Sequence, residues 1–234
     1  MDKSLASCVR FDELFRSREL LIFDFDGVLA DSEPWFRRSW NLALSPWGHV
    51  ISERDYWLYW SSMGQGLEGE IRRNGLKGIE PDLVRTAQRQ AYEGYCRDGL
   101  IPLFPGVRKL LERLSGLDGN GRRFCIASNT VSDLVRTVLL RAGAPVPAII
   151  GGEGLRPKPH PDIFLRAAEE FGIPPRNALV FEDSQKGVTA AMEGGFPFVL
   201  VRNHCNADLD IPHERCLEDI GGLLQMLPAE QTAV

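Results

Sequence analysis

The 234-residue chain has no apolar run long enough to span a bilayer, no C-x-x-C pair, no basic block or stripe, no low-complexity segment and no internal repeat. Each absence removes a class of protein. A transmembrane helix needs about 20 consecutive, mostly apolar residues. The first twenty residues, MDKSLASCVRFDELFRSREL, mix acids with bases and lack the apolar centre of a secretory signal. A cytoplasmic protein with no membrane partner is therefore expected. Five cysteines, Cys8, Cys96, Cys125, Cys205 and Cys216, are odd in number and scattered, which indicates neither a disulfide framework nor a zinc site and suits a reducing compartment. A net charge of −5 and a pI near 5.5 leave no electrostatic footprint for nucleic acid, so no such partner is expected and any phosphate affinity must be local. A monomer is expected.

What is present is a hydrophobic content of 44%, enough for a substantial core, and one stretch of unusual information. In LLIFDFDGVLADSE, Leu20 to Glu33, an apolar run ends abruptly in two carboxylates, Asp24 and Asp26, followed by Gly27. A short, branched or aromatic, fully apolar run suits a strand covered on both faces, and ligands of open α/β sheets bind outside the carboxyl ends of such strands. Asp24 is placed at that mouth.

The grammar of strand, polar tip and helix recurs. Phe124 to Ala127 leads to Ser128-Asn129-Thr130 and a helix over Ser132 to Ala142, with Leu134, Val138 and Leu139 on one side and Gly143 as its stop. Ala148 to Ile150, Ala178 to Phe181 and Phe196 to Val201 read as strands; Pro161 to Phe171 and Lys186 to Glu193 read as helices closed by glycine. Such alternation predicts a parallel sheet with helices on both faces. Residues 33–98 break it, offering helical stretches (Pro34 to Leu44, Ser52 to Met63, Leu67 to Arg73, Pro81 to Arg97) and no strand. All five tryptophans and all four tyrosines fall there, a composition shift that predicts a separate core.

The pattern D-x-D-G-V-L-x-D-S resembles the first motif of the haloacid dehalogenase superfamily, in particular the branch of small phosphatases and β-phosphoglucomutase. Ser128 after its strand, Lys158 in KPHPDIF, and Glu182-Asp183 after ALVF follow in that family's order. The resemblance implies a Rossmann-like α/β core over residues 1–32 and 99–234 and an inserted helical cap over 33–98, joined by linkers at Ala30 to Pro34 and Gly99 to Pro105. It implies Asp24 as nucleophile, Asp26 as general acid, and Ser128, the backbone N–H of Asn129 and Lys158 as phosphate contacts. It implies a Mg²⁺ ion held by Asp24, the Asp26 carbonyl and Asp183, with Glu182 reaching the ion through water or holding Lys158.

Each role suits its residue type. A carboxylate is already ionised at neutral pH and needs no base, but against a phosphate dianion at about 4 Å it meets roughly 8 kcal/mol of repulsion at an effective dielectric of 20, which cations must cancel. Oxygen ligands point to Mg²⁺. An alkoxide is a poor leaving group, so a proton from Asp26 is worth about 10² to 10⁴ in rate. The branches that cleave carbon–halogen or carbon–phosphorus bonds lack a carboxylate at that position.

The expected activity is therefore Mg²⁺-dependent hydrolysis of a small phosphorylated metabolite, a sugar phosphate or similar ester, through an aspartyl phosphate. The alternative is a β-phosphoglucomutase-like isomerase, which Phe36 disfavours, since such mutases carry a histidine there. A non-catalytic sensor is a third reading, and it has no use for a general acid. His160 reads as structural or exposed. Arg54, Arg72, Arg73 and Lys77 read as solvated helix faces from which one side chain could touch the far end of a substrate.

Overall fold

The computed structural model describes residues 13–117 and 123–228; Cys8 and the charged segment before residue 13 lie outside them. Strand β1 is Leu20–Phe23, buried at all four positions. Successive strand residues point to opposite faces, and the packing follows. Leu21 and Phe23 join one apolar cluster with Phe124, Ile126, Leu179 and Phe181, while Leu20 and Ile22 join another with Cys125, Ala127, Ala178 and Val180. A strand covered on both sides has no room for a polar residue along its length.

The other strands are β2 (Arg123–Ala127), β3 (Ala148–Ile150), β4 (Ala178–Glu182), β5 (Phe198–Val201) and β6 (Cys216–Leu217). They form one sheet in the order β3-β2-β1-β4-β5-β6, every pairing parallel. The chain winds outward from β1 through β2 and β3 on one side, then returns to β4 on the other. The topological switch thus falls between β1 and β4, where such sheets bind ligands.

Four helices lie between β1 and the linker at Gly99: α1 (Glu33–Leu44), α2 (Glu53–Asp55), α3 (Gly66–Asn74) and α4 (Pro81–Arg97). Then come α5 (Val107–Leu117) before β2, α6 (Ser132–Arg141), α7 (Asp162–Phe171) and α8 (Gln185–Glu193). Val107, Leu110 and Leu111 of α5 with Val135, Val138 and Leu139 of α6 cover one face of the sheet; Ile163, Phe164 and Ala167 of α7 with Ala190 and Ala191 of α8 cover the other.

Three details differ from the sequence reading. Helix α6 buries Val135 with Val138 and Leu139, while Leu134 is half-buried, packing against that cluster and also lining a cavity. The last long strand starts at Phe198, not Phe196, because Pro197 has no N–H to give the ladder; its carbonyl accepts from Val180 N at 3.0 Å. The segment over Ser52 to Met63 begins as one α turn capped by Ser52 Oγ on Asp55 N and continues as a π-helix over Tyr56–Ser62.

Within the inserted segment Leu44, Ile51, Tyr56, Trp60, Leu67 and Val84 form a cluster of their own. At its base Tyr92 and Cys96 of α4 pack instead with Val28 and Leu29, continuous with the sheet's core. The two linkers run side by side: Asp31 N donates to Pro102 O at 2.9 Å and Phe104 N to Leu29 O at 3.0 Å, and Ala30 pairs antiparallel with Leu103.

Candidate active site

Asp24 is the first residue past β1, 6% exposed, its N–H bonded to Phe181 O at 2.9 Å. The chain then turns sharply. Gly27 has φ of +79°, and a Cβ on it would lie 1.9 Å from Asp183 Oδ2; only glycine lets the β1 turn approach the end of β4 so closely.

Lys158, on the loop before α7, reaches the same mouth. Its Nζ lies 2.9 Å from Asp24 Oδ1 and 2.7 Å from Glu182 Oε1, donates to Ala127 O at 3.3 Å and sits 4.7 Å from the centroid of the Phe164 ring. Asn129 Oδ1 holds the Lys158 backbone N–H at 3.1 Å. Glu182 is the last residue of β4 and wholly buried; its Oε2 accepts from Asp183 N, Ser184 N and Ser184 Oγ at 2.8, 3.0 and 3.0 Å. Both its oxygens are engaged, and Glu182 fixes Lys158. A Cβ on Gly187 would strike the Glu182 carboxyl, so α8 can begin against that carboxylate only with glycine there.

Asp183, on the opposite strand face from Glu182, accepts from Asn203 Nδ2 at 3.0 Å, and the same amide donates to Gly27 O at 2.7 Å. Asp26 is ringed by hydroxyls. Ser32 Oγ donates to Oδ1 at 2.6 Å; Ser128 Oγ and Thr130 Oγ1 donate to Oδ2 at 2.9 and 2.7 Å.

Burial raises the Asp24 carboxyl well above its ordinary range; Lys158 pulls it down, and Glu182 and Asp26 push it further up. Burial raises Asp183 likewise, reinforced by Glu182, Asp24 and Glu33. Burial also works to raise Glu182, but the charge and hydrogen bond of Lys158 outweigh it and leave Glu182 low. Burial works to lower Lys158, and its two carboxylate neighbours win, leaving it raised. Asp24, Glu182 and Asp183 lie close enough to share an ion. Asp24, Glu182 and Asp183, with Asp26 beside them, outnumber the Lys158 ammonium they share, an excess of acids that a divalent ion would offset. The donor set is all oxygen, as Mg²⁺ requires. The residues fit that ion.

Over the mouth lies a cavity of about 640 Å³, floored by Asp24, Asp26, Ser128, Asn129, Lys158 and Asp183 and walled by Phe36, Trp40, Tyr56, Trp60 and Tyr92 of the inserted segment. Phe36 and Tyr92 stack with ring centroids 3.7 Å apart. The cationic residues lining it are Arg89, Lys158 and Lys186, not Arg54, Arg72, Arg73 or Lys77; Arg73 is turned away onto Glu70 and the Tyr59 ring. His160 is exposed. The seven residues singled out in the sequence thus converge. Thr130, Ser32 and Asn203 were not among them. Ser32 is the last position of the first motif and Thr130 lies two residues after Ser128, whereas nothing in the sequence marks Asn203.

A six-stranded parallel sheet whose switch-point mouth gathers an aspartate pair, a lysine and a second acidic pair is an arrangement suited to phosphoryl transfer. The model of haloacid dehalogenase-like hydrolases matches residues 19–195, and the chain belongs to that family, on its phosphatase branch. It is 31% identical over 193 residues to the protein CbbY of Rhodobacter capsulatus, covering 77% of this chain and 83% of that one. It is 32% identical over 194 residues to a probable pseudouridine-5'-phosphatase of Drosophila melanogaster, covering 77% and 80%. Among solved structures, CbbY of Rhodobacter sphaeroides in complex with phosphate superposes with a TM-score of 0.74 at 24% identity, over 90% of this chain and 99% of that one, a likeness of fold.

Proposed function

We propose that the chain is a Mg²⁺-dependent phosphatase that hydrolyses a small phosphorylated metabolite, of the sugar-phosphate class, through an aspartyl phosphate on Asp24. The observation that carries this reading is Lys158 bridging Asp24 and Glu182 beside Asp183, under a cavity large enough for a sugar phosphate. The name of one relative, a probable pseudouridine-5'-phosphatase, supports a small phosphorylated metabolite as substrate.

Lys158 takes Asp24 Oδ1, which leaves Oδ2 to attack phosphorus. Asp24, the Asp26 carbonyl and Asp183 would hold the Mg²⁺ ion, which when bound would neutralise charge at the phosphoryl oxygens. Ser128 Oγ and the Asn129 N–H donate to those oxygens as charge spreads over them. Asp26 gives its proton to the departing alkoxide and then takes one from the water that hydrolyses the aspartyl ester. To do so it must exchange the hydroxyls of Ser128 and Thr130 for a substrate oxygen. Helices α1 to α4 act as a cap that excludes water while this happens. Phe36, stacked on Tyr92, can relay no proton, so release of phosphate is favoured over its return to the sugar.

The test is to incubate purified protein with Mg²⁺ and a panel of phosphorylated metabolites, recording both free phosphate and isomeric sugar phosphates. Phosphate release without isomers, lost in EDTA and in Asp24→Asn, is the expected result. Isomer formation, or more than a few per cent of activity left in Asp24→Asn, overturns it.

A further inference from the structure

Behind the Gly27 turn, three residues far apart in sequence converge. Asp31 lies in the first linker; His204 and Cys205 lie in the loop after β5. His204 Nε2 is 3.5 Å from Asp31 Oδ1 and 3.4 Å from Cys205 Sγ, and one donor atom from each residue lies within 4.8 Å of the others. Asp31 Oδ1 is shielded from solvent and accepts no hydrogen bond. A carboxylate oxygen in that condition is costly unless a cation meets it.

The spacing fits a particular cation. Zinc binds nitrogen and oxygen at about 2.0–2.2 Å and sulfur at about 2.3 Å, which in a tetrahedron sets the donor atoms roughly 3.3–3.6 Å apart. Both His204 separations fall in that window. The buried cluster at the mouth, Asp24, Glu182 and Asp183, offers oxygen alone; this second cluster offers one oxygen, one nitrogen and one sulfur.

We propose that Asp31 Oδ1, His204 Nε2 and Cys205 Sγ form a second metal site, specific for a zinc-type divalent ion, that fastens the first linker to the core. Imidazole and thiolate select zinc or cobalt over magnesium, as the oxygen-only mouth does the reverse. The Cys205 thiol loses its proton to solvent as the sulfur–metal bond forms, and water takes the fourth position. His204 is half exposed, so an ion enters from solvent without unfolding the loop.

The place of the site gives it a purpose. The His204 ring meets Trp57 of the π-helix edge-on at 6.4 Å and Phe104 of the second linker at 6.3 Å. One residue earlier, Asn203 accepts from Cys205 N at 2.7 Å through Oδ1 and donates to Asp183 through Nδ2. An ion here would tie linker, cap and core loop together and steady the residue that positions Asp183.

The experiment is a titration of the metal-stripped full chain with Co²⁺. Expected are a thiolate-to-cobalt charge-transfer band and tetrahedral visible bands, saturating at one equivalent, displaced by Zn²⁺ and untouched by excess Mg²⁺. Cys205→Ser should abolish the charge-transfer band and Cys8→Ser should keep it. His204→Asn, a change at a half-exposed position, should weaken Co²⁺ binding at least tenfold, since losing even an outer partner of a ligand costs about 10–100-fold. No thiolate band in the folded wild type, a band that survives Cys205→Ser, or unchanged affinity in His204→Asn each overturns the site. The readout is independent of turnover.

Discussion

Lys158 Nζ lies 2.7 Å from Glu182 Oε1, and the two side chains are 2% and 0% exposed. Removing one partner of an isolated pair this deep costs about 3–5 kcal/mol; Lys158 keeps Asp24 at 2.9 Å, so a loss near the lower end, about 3 kcal/mol, is expected here. Glu182→Gln should therefore lower the free energy of unfolding by about that amount in urea denaturation, and adding Lys158→Met should recover part of it. A loss below about 1 kcal/mol is what an exposed pair would give and would rule out this role. Because the folded Glu182 titrates below its ordinary 4.5, its stabilising effect is complete above that pH and is lost as the pH falls through the folded value.

Asp24 and Asp183 have the opposite sign. Both carboxyls are raised from an ordinary 3.8, so without a cation each weakens the fold increasingly as pH rises from 3.8 toward its folded value. Mg²⁺ should relieve that penalty and raise Tm, by more at pH 8 than at pH 5, where protons compete for the same oxygens. Thermal melts with and without Mg²⁺ at the two pH values check this. An equal or larger shift at pH 5 would exclude these two carboxylates as the ligands.

Asp26→Asn should slow alkyl phosphate hydrolysis by about 10² to 10⁴ and p-nitrophenyl phosphate hydrolysis much less, because that leaving group is already acidic. Equal losses on both substrates in Asp26→Asn would exclude it as the acid.

Lys158→Ala should damage activity far more than His160→Ala, since the lysine touches two carboxylates of the mouth and the histidine is exposed. Steady-state rates of the two variants decide it, and the reverse ranking would mean that the loop carrying both is misassigned.

Vanadate with Mg²⁺ should change tryptophan fluorescence, because all five tryptophans lie within residues 33–98 and Trp40 and Trp60 line the cavity. The same ligand should protect the linkers from proteases by holding the inserted helices against the sheet. Unchanged fluorescence and cleavage at saturating ligand would remove the gating role.

The strands and the placement of the acids at their ends were readable because one physical constraint writes both. A strand buried on two faces must be apolar throughout, so the first carboxylate after Leu20–Phe23 or Ala178–Phe181 marks the mouth. What folding adds was not readable. Asn203 acts only because the β5 loop comes back beside Gly27, and loops carry no period that announces where they return. Leu134 and Val135 are neighbours of like polarity, and one residue of helix rotation decides which is fully buried and which also meets the cavity. Strand β6, two residues long, has no alternation to read. Asp31, His204 and Cys205 share no spacing, so the cysteine count pointed away from any metal they could hold.

The two linkers are laced to each other from Leu29 to Asp31 and from Pro102 to Phe104, and this has a mechanical result. A laced pair behaves as one stiff plate, so any swing of helices α1 to α4 must be absorbed beyond its edge. On one side that edge leaves Ser32 alone before α1 begins at Glu33; on the other it leaves the short run from Asp98 to Ile101, where Gly99 has a positive φ of 69°. Ser32 is also the residue whose hydroxyl holds Asp26 Oδ1. In the lid motion proposed above, Ser32 would be one of the two pivots and also the tether of Asp26, so a stroke of the lid would pull directly on the proposed acid.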